Sequence, residues 1–130
     1  MPNQFYGGVF GYSAPATWTT EIAKTANYTI LPKDNGTLFT TTGASGAVTF
    51  TLPAIKSGYV FGFLNVVDQN MAIASAAGDD IVTLNDASAD SLTFSTSNEK
   101  IGAFVRIYSN HGGTKWLVEK LCSNTITVAT

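Results

Sequence analysis

Short alternating segments separated by turn residues are the feature of this 130-residue sequence that most constrains its fold. The clearest is AVTFTL at 47–52, where Val48, Phe50 and Leu52 fall on one side and two threonines on the other. Glycine, proline, asparagine or aspartate interrupts the chain before apolar residues spaced three and four apart can define a strong helix. The pattern therefore predicts an all-β sandwich or barrel.

Several segments carry more specific expectations. The pair 37–41 and 47–52, joined by GASG, is interpreted as a hairpin that ends at Pro53. Segment 58–68 has apolar residues on both sides, as a central strand covered on both faces would. NDASAD at 85–90 is predicted as a turn, and TTEIAKTA at 19–26 has room for two helical turns at most. The predicted fold is a single-domain antiparallel β-sandwich or barrel.

The first 25 residues differ from this pattern. Glycines and prolines here separate aromatic residues that follow neither a strand nor a helix period. Glycine resists ordering, but the burial of several aromatic side chains can offset that entropy. We therefore divide the chain into an extended N-terminal arm at 1–25 and a β body at 26–130. The arm's predicted partner-binding residues are Phe5, Tyr6, Phe10, Tyr12 and Trp18.

Low charge limits the partners that the sequence predicts. Charged residues make up 12% of the chain and the net charge is −2, whereas globular domains carry about 25% charged residues. No basic stripe predicts nucleic-acid binding, and no apolar run approaches the roughly 18 residues of a membrane span. The N-terminus also lacks the pattern of a signal peptide, so we expect synthesis in a cytosol. A surface with so few charges suits burial against other protein subunits.

Residues that carry reactive chemistry are sparse. His111 is the only histidine and lies in NHGG, where we interpret it as a turn residue. Cys122 is the only cysteine, so it can form neither an internal disulfide nor a structural zinc site alone, and we expect a buried, inert thiol. Nucleophile-elbow, phosphate-loop and dinucleotide-binding motifs are absent. The prediction is a protein without catalytic residues, metal or cofactor.

Two groups of residues leave alternatives open. Acids between the predicted short strands fit turns, a calcium site or a glycosidase pair; they are Asp79, Asp80, Asp86 and Asp90. A hydrolase would draw on the first two or on Glu99. Four aromatics fit either a core or a sugar-stacking platform, namely Tyr59, Phe61, Phe63 and Trp116.

The segments TANYTILPKDNGTLFTTTGASGAVTFTLPA and GFLNVVDQNMAIAS, followed by GTKWLV, give the chain a family resemblance. Over about residues 25–121 it resembles small β-rich structural modules of tailed bacteriophages, found in capsid decoration (cement) proteins and in tail-fibre or head-fibre parts. The resemblance implies a virion component on the capsid exterior, commonly a homotrimer, made in the host cytoplasm. Its expected partner is the major capsid protein lattice. The alternative is a fibre module that binds host-surface glycans, with Tyr59, Trp116 and the acids at 79–90 lining the site.

Overall fold

A computed structural model describes residues 18–130 and the backbone of residues 4–5 and 7–8. Two two-residue strands, β1 (Gln4–Phe5) and β2 (Gly7–Gly8), pair with each other. A 3-10 helix spans Pro32–Asp34. The remaining strands are β3 (Thr20–Ala23), β4 (Tyr28–Thr29), β5 (Thr37–Thr40), β6 (Val48–Thr51), β7 (Val60–Leu64), β8 (Met71–Ala74), β9 (Asp80–Thr83), β10 (Asp86–Ala89), β11 (Ser91–Phe94), β12 (Phe104–Ser109), β13 (Lys115–Lys120) and β14 (Thr127–Ala129).

Strands β3 to β14 form two sheets that face each other. The larger has seven strands in the order β10-β9-β13-β12-β7-β5-β3, and the smaller has five in the order β14-β11-β8-β6-β4. Aromatic rings meet between them: Phe39 of β5 and Phe63 of β7 lie 5.4 and 5.2 Å from Phe50 of β6, measured between ring centroids. This confirms the all-β prediction, and the arrangement is sandwich-like.

Alternation of side chains along each strand builds the core. Val48 and Phe50 of β6 are buried, as are Phe61 and Phe63 of β7 and Ile107 of β12. The residues between them in each strand point to the outer faces, because successive side chains in a strand project to opposite sides.

Within the described chain, no helix has the length and apolarity needed to cross a bilayer.

The expectation of an antiparallel fold is wrong, because both sheets are mixed. The chain winds between the sheets: β3, β5 and β7 belong to the seven-stranded sheet, and β4, β6 and β8 to the five-stranded one. Consecutive windings bring strands of the same sheet side by side in the same direction, so β3–β5, β5–β7, β4–β6 and β6–β8 are parallel pairs. Antiparallel pairing appears later, as in β7–β12 and β12–β13.

The predicted hairpin of 37–41 and 47–52 is also wrong. Both segments are strands, but β5 and β6 lie in opposite sheets. The connection from β5 to β6 crosses the edge of the core, and hydrogen bonds of Thr41 and Asn65 stabilise it there. The Thr41 hydroxyl donates to the buried Asn65 Oδ1 at 2.6 Å and accepts from the Val66 amide at 3.0 Å. The connection between β5 and β6, which we call the arch, thereby gives the Thr41 hydroxyl, Asn65 Oδ1 and the Val66 amide their partners without a ladder between the two strands.

Three smaller expectations change. Residues 85–90, predicted as a turn, contain the whole of β10, because Leu84 and Asn85 adopt positive φ and reverse the chain in two residues. Residues 19–26, given two helical turns at most, contain the edge strand β3. In the sequence, Ile101 alternates in step with Ala103, Val105 and Ile107, which predicts a place on their face, but it is 62% exposed beside Gly102, whose φ is +87°.

Other expectations are confirmed. Segment 58–68 holds a strand, β7, that lies inside the larger sheet with neighbours β5 and β12 on its two sides. The expected cover on both faces is not seen among the described residues, because Val60 and Leu64 on the outer face are half-buried. The NHGG turn joins β12 and β13 as an antiparallel pair, with Asn110 accepting from the Thr114 and Lys115 amides at 2.8 and 3.2 Å. His111 is exposed in that turn, as expected.

Candidate functional site

The outer face of the seven-stranded sheet is unusually apolar. Its side chains follow from the register: Leu38 and Arg106 flank Gly62, Tyr108 lies between Val60 and Leu117, and Phe104 lies beside Leu64. All of them except the glycine are half-buried. We call this surface the apolar outer face and define it by Trp18, Leu38, Val60, Leu64, Val82, Phe104, Arg106, Tyr108, Leu117 and Glu119. Half-exposed aliphatic and aromatic groups packed side by side are typical of a contact surface.

Trp18 lies on this face at the position of Gly62. A Cβ built on Gly62 would be 2.5 Å from two atoms of the Trp18 ring and 2.9 Å from Leu38 Cδ1. The indole therefore occupies the space that a side chain at position 62 would fill, and glycine permits that close approach. Of the predicted arm residues, Trp18 is thus placed against its own body, and Gly62 is buried as a result.

A turn holds the start of β3, and with it Trp18. The Thr19 amide donates to the Gly36 carbonyl at 2.9 Å. Asn35 links the same turn to β7, because its side chain accepts from the Val60 amide at 2.8 Å and donates to the Gly58 carbonyl at 3.0 Å. The turn therefore fixes both the approach of Trp18 and the strand on which it lies.

The Asp34 carboxylate stabilises this turn through hydrogen bonds. Its Oδ2 accepts from the Tyr28 hydroxyl at 2.6 Å and from the Leu31 amide at 3.0 Å. Burial favours the neutral acid, but the hydrogen bonds from Tyr28 and Leu31 and the Lys33 charge outweigh it, so the pKa of Asp34 is lowered. The hydrogen bond to Asp34, with burial and the carboxylate charge, raises the pKa of Tyr28 to about 12.

The charges within the apolar outer face are paired with each other. Arg106 of β12 and Glu119 of β13 are direct cross-strand neighbours and form an ion pair through Nε and Oε1. The hydrogen bond to Glu119 raises the pKa of Arg106 above its ordinary value. Together with Val60 and Tyr108 they line an open depression of about 380 Å³. Arg106 and Glu119 therefore compensate each other on this face, whereas Glu21 of β3, beside Leu38 at the edge of the sheet, accepts from the Thr40 hydroxyl and is in no ion pair with the described residues.

The outer face of the five-stranded sheet, on the opposite side of the sandwich, differs because its strands carry no charged residue at all. No strand of the five-stranded sheet contains an acid or a base. The register aligns one outward row across all five strands, consisting of Thr29, Thr51, Ala74, Ser91 and Ala129. These side chains are short, so the surface is flat. The threonines of the segment at 37–54 contribute to it through Thr49 and Thr51 of β6.

Most of the acids predicted as turn, calcium or catalytic residues bond to neighbouring groups of the body. Asp79 and Asp90 lie close together, since the Ser75 hydroxyl donates to both of their carbonyls, at 2.8 and 3.2 Å. Asp79 accepts from the Ile55 amide at 3.0 Å, and Asp80 pairs with Lys115 at 2.7 Å. Asp86 accepts from Thr130 and from the Ser88 amide, and these bonds lower its pKa. Glu99 accepts from Thr125 at 2.9 Å. No group of three or more potential metal ligands occurs in the described part of the chain.

The four aromatics of the suggested sugar platform are core residues. Phe61, Phe63 and Trp116 are fully buried, and Tyr59 is 9% exposed. Tyr59 stacks on Trp116 with ring centroids 6.1 Å apart. The assignment of Tyr59 and Trp116 to a glycan-binding surface is therefore wrong. These rings stabilise one end of the sandwich instead.

The remaining candidates have ordinary places. Cys122 is half-buried, not buried as expected, and its Sγ accepts from the Phe104 amide at 3.4 Å. The side chains of the other four predicted arm anchors, Phe5, Tyr6, Phe10 and Tyr12, lie outside the described residues. The residues of the apolar outer face other than Trp18 were not predicted from the sequence as functional residues. Their signal was the two-sided apolar pattern of 58–68 together with Phe104, Tyr108 and Leu117.

Comparison with known proteins gives no independent identification. No protein-family model matches the chain, and no curated protein matches its sequence.

Proposed function

We propose that the protein is a bacteriophage virion structural protein that decorates the capsid, binding and stabilising the lattice of the major capsid protein from outside. The observation that carries the proposal is the surface of the sandwich. One broad face is largely apolar, with Arg106 and Glu119 paired on it, and the opposite face has no charged strand residue. A protein that works by contact with other subunits benefits from such faces, because burial of apolar area stabilises by about 25 cal/mol per Å² before association costs.

A surface with few charged groups also suits a contact that is repeated on many identical subunits. A buried charge needs a partner on every neighbouring subunit, whereas small and apolar groups need only complementary shape. Symmetric copies on a lattice then gain avidity, since each later contact is effectively intramolecular. Assembly as a homotrimer belongs to this proposal. So does an N-terminal docking arm with Phe5, Tyr6, Phe10 and Tyr12 as its anchors. Residues 18–25, predicted as part of the arm, belong to the body instead, because β3 lies in the seven-stranded sheet and Trp18 packs on Gly62.

The fibre alternative predicts different behaviour. A tail-fibre or head-fibre module that binds glycans needs an accessible stacking ring, but Tyr59 and Trp116 lie in the core. The number of copies per virion distinguishes the two proposals. Quantitative mass spectrometry of purified virions should find hundreds of copies for a decoration protein, and a few or a few tens for a fibre.

Capsid binding itself is tested with full-length variants. In one, serine replaces Phe5, Tyr6, Phe10 and Tyr12. In the matched control, serine replaces Leu31, a 42% exposed apolar residue of the body. Occupancy on undecorated capsids, measured by co-sedimentation and cryo-electron microscopy, should fall at least tenfold for the first variant and stay unchanged for the second. Full occupancy of the four-serine variant would contradict the role of the arm.

A further inference from the structure

We propose that Asn35 and Gly36 form a deamidation site that the folded protein holds inactive. This is the only asparagine–glycine pair in the chain, and it lies in the turn between the 3-10 helix and β5. Asparagine is a thermolabile residue, most of all before glycine, because glycine has no side chain to shield its backbone nitrogen. The reaction does not reverse, so a chain in which this turn opens is changed permanently.

The turn requires both residues of the reactive pair. Gly36 has a φ of +85°, which side chains disfavour, and a Cβ there would lie 3.1 Å from Thr19 Oγ1. The Asn35 side chain accepts from the Val60 amide at 2.8 Å and donates to the Gly58 carbonyl at 3.0 Å. A carboxamide can do both, whereas a carboxylate of the same length only accepts. The residues that build the turn therefore also create a reactive site.

Deamidation joins the two residues through a ring. The Gly36 nitrogen bonds to the side-chain carbonyl carbon of Asn35, the bond from that carbon to Nδ2 breaks, and the amide proton leaves with the departing ammonia. Water then opens the succinimide ring at one of its two C–N bonds. Cleavage at the side-chain carbonyl gives aspartate, and cleavage at the backbone carbonyl gives isoaspartate. Water is the only other reactant.

Val60 of β7 binds both reacting groups at once. Its amide donates to Asn35 Oδ1 at 2.8 Å, and its carbonyl accepts from the Gly36 amide at 2.9 Å. Asn35 is exposed, so these hydrogen bonds rather than burial protect the site. The Gly36 nitrogen must release its proton before it attacks, and a hydrogen-bonded amide releases its proton only when the structure opens locally. Val60 is itself held in the sheet opposite Tyr108, so the turn must separate from β7 before the reaction can proceed.

Conversion should also loosen the start of β3. Aspartate at position 35 has no proton to donate to the Gly58 carbonyl, so this bond is lost, and isoaspartate adds a carbon atom to the backbone of the turn. The Gly36 carbonyl accepts from the Thr19 amide at 2.9 Å, so the same turn fixes the chain next to Trp18. A deamidated chain should therefore release Trp18 from the apolar outer face. All these groups belong to the body, so this chemistry does not depend on the proposed capsid binding.

Peptide mass spectrometry of the full-length protein tests the protection. The protein is incubated in mildly alkaline buffer with and without guanidinium chloride, and the conversion of Asn35 is followed over time. Conversion should be at least about tenfold slower in the folded protein. In denaturant it should be faster than the conversion of Asn110, which precedes a histidine. Equal rates with and without denaturant, or a rate in denaturant no higher than that of Asn110, would overturn the proposal.

Two similar carboxylates provide a variant and its matched control. Asp34 and Asp86 each accept from one hydroxyl and one backbone amide, but only Asp34 adjoins Asn35. Asp34→Ala should raise the conversion rate of Asn35 at least about fivefold in protein with native circular dichroism, and Asp86→Ala should leave it unchanged. If Asp34→Ala does not fold, Tyr28→Phe removes only one of the two bonds and should raise the rate by a smaller factor. No increase in a folded variant of the turn would overturn the proposal.

Tryptophan fluorescence tests the consequence for β3. Asn35→Asp should raise the acrylamide quenching constant of the folded protein, and the change reports Trp18 because Trp116 is fully buried. Asn110→Asp is the matched control. Asn110 Nδ2 donates to the Thr114 hydroxyl at 3.0 Å, and a hydroxyl can rotate to donate to a carboxylate instead, so quenching should not change. Unchanged quenching in Asn35→Asp would contradict the release of Trp18. No capsid is present in these experiments, so their failure leaves the occupancy experiment on decoration independent.

Discussion

The indole of Trp18 occupies the space above Gly62 in which any larger residue would carry its side chain. A Cβ at position 62 would lie 2.5 Å from ring atoms Cζ2 and Cη2 of Trp18. Such a distance is far below van der Waals contact, so one of the two groups must move. Trp18 precedes the first strand of the sheet, whereas Gly62 is held in β7 by neighbours on both sides, so Trp18 is the group that moves.

Gly62→Ala should therefore displace Trp18 from the apolar outer face. We expect acrylamide quenching of tryptophan fluorescence to increase and the unfolding free energy to fall by about 1–3 kcal/mol, the usual cost of overpacking. The other tryptophan, Trp116, is fully buried, so the added quenching reports Trp18.

Gly46→Ala is the control for this prediction, since a Cβ there meets no atom within 4 Å. It should change neither quenching nor stability by a measurable amount. Unchanged quenching in Gly62→Ala would show that Trp18 does not depend on the glycine.

Trp116 provides a second prediction because its Nε1 is buried and has no hydrogen-bond partner in the described structure. Trp116→Phe removes an unsatisfied donor, which offsets part of the lost packing. We expect a change in unfolding free energy below about 1.5 kcal/mol, compared with about 3–5 kcal/mol for Trp116→Ala. Denaturant unfolding of both variants measures the difference. Equal losses in the two variants would indicate that the indole N–H is satisfied in solution.

Stability should also depend on pH through the Tyr28–Asp34 pair. The pKa of Tyr28 is about 12 in the folded protein and 10 in a model peptide, so the folded state retains a proton that the unfolded chain loses first. This contribution to stability is complete below pH 10 and is lost as pH rises towards 12. Asp34, with its lowered pKa, contributes stability above its ordinary value of 3.8 that is lost as pH falls further.

Tyr28→Phe is the variant that tests this dependence. It should lower the unfolding free energy at neutral pH by about 1.5–3 kcal/mol, the range for a hydrogen bond to a charged group. It should also flatten the decline between pH 10 and 12. Tyr108→Phe, on the apolar outer face, serves as the control. A decline of the same steepness in wild type and Tyr28→Phe would contradict the assignment.

The strand content was predictable because the side-chain period of two is visible in single segments. Val48 and Phe50 alternate with threonines, and Val105 and Ile107 lie on either side of Arg106, so burial on one face follows directly. The two-residue turn at Leu84 and Asn85 was not predictable, since leucine rarely adopts positive φ and carries no turn signal.

Sheet membership was not predictable for a different reason. Phe39 and Phe50 have the same alternation whether their strands pair in a hairpin or face each other across a core. The windings also differ in length, since Thr20 lies beside Thr37 but Leu38 beside Gly62, so no fixed sequence period reveals them. The apolar outer face was not predictable for the same reason, because its residues form one surface only when β7, β12 and β13 are neighbours in the sheet.

The arch between β5 and β6 gives the last prediction. Thr41 is buried, donates to Asn65 Oδ1 at 2.6 Å and accepts from the Val66 amide at 3.0 Å. Thr41→Val keeps the shape but leaves a buried carbonyl oxygen and an amide without their partner, so we expect a loss of about 2–4 kcal/mol in unfolding free energy.

Thr93→Val is the matched control for Thr41→Val, because Thr93 lies half-exposed on the outer face of the five-stranded sheet. Its effect should stay within about 0.5 kcal/mol, the usual range for surface substitutions. Denaturant unfolding of the two variants separates the arch from a general threonine effect. If the two losses were equal, the hydroxyl of Thr41 would not be what holds the crossing between the sheets, and the packing of Phe39 against Phe50 would have to stabilise it alone.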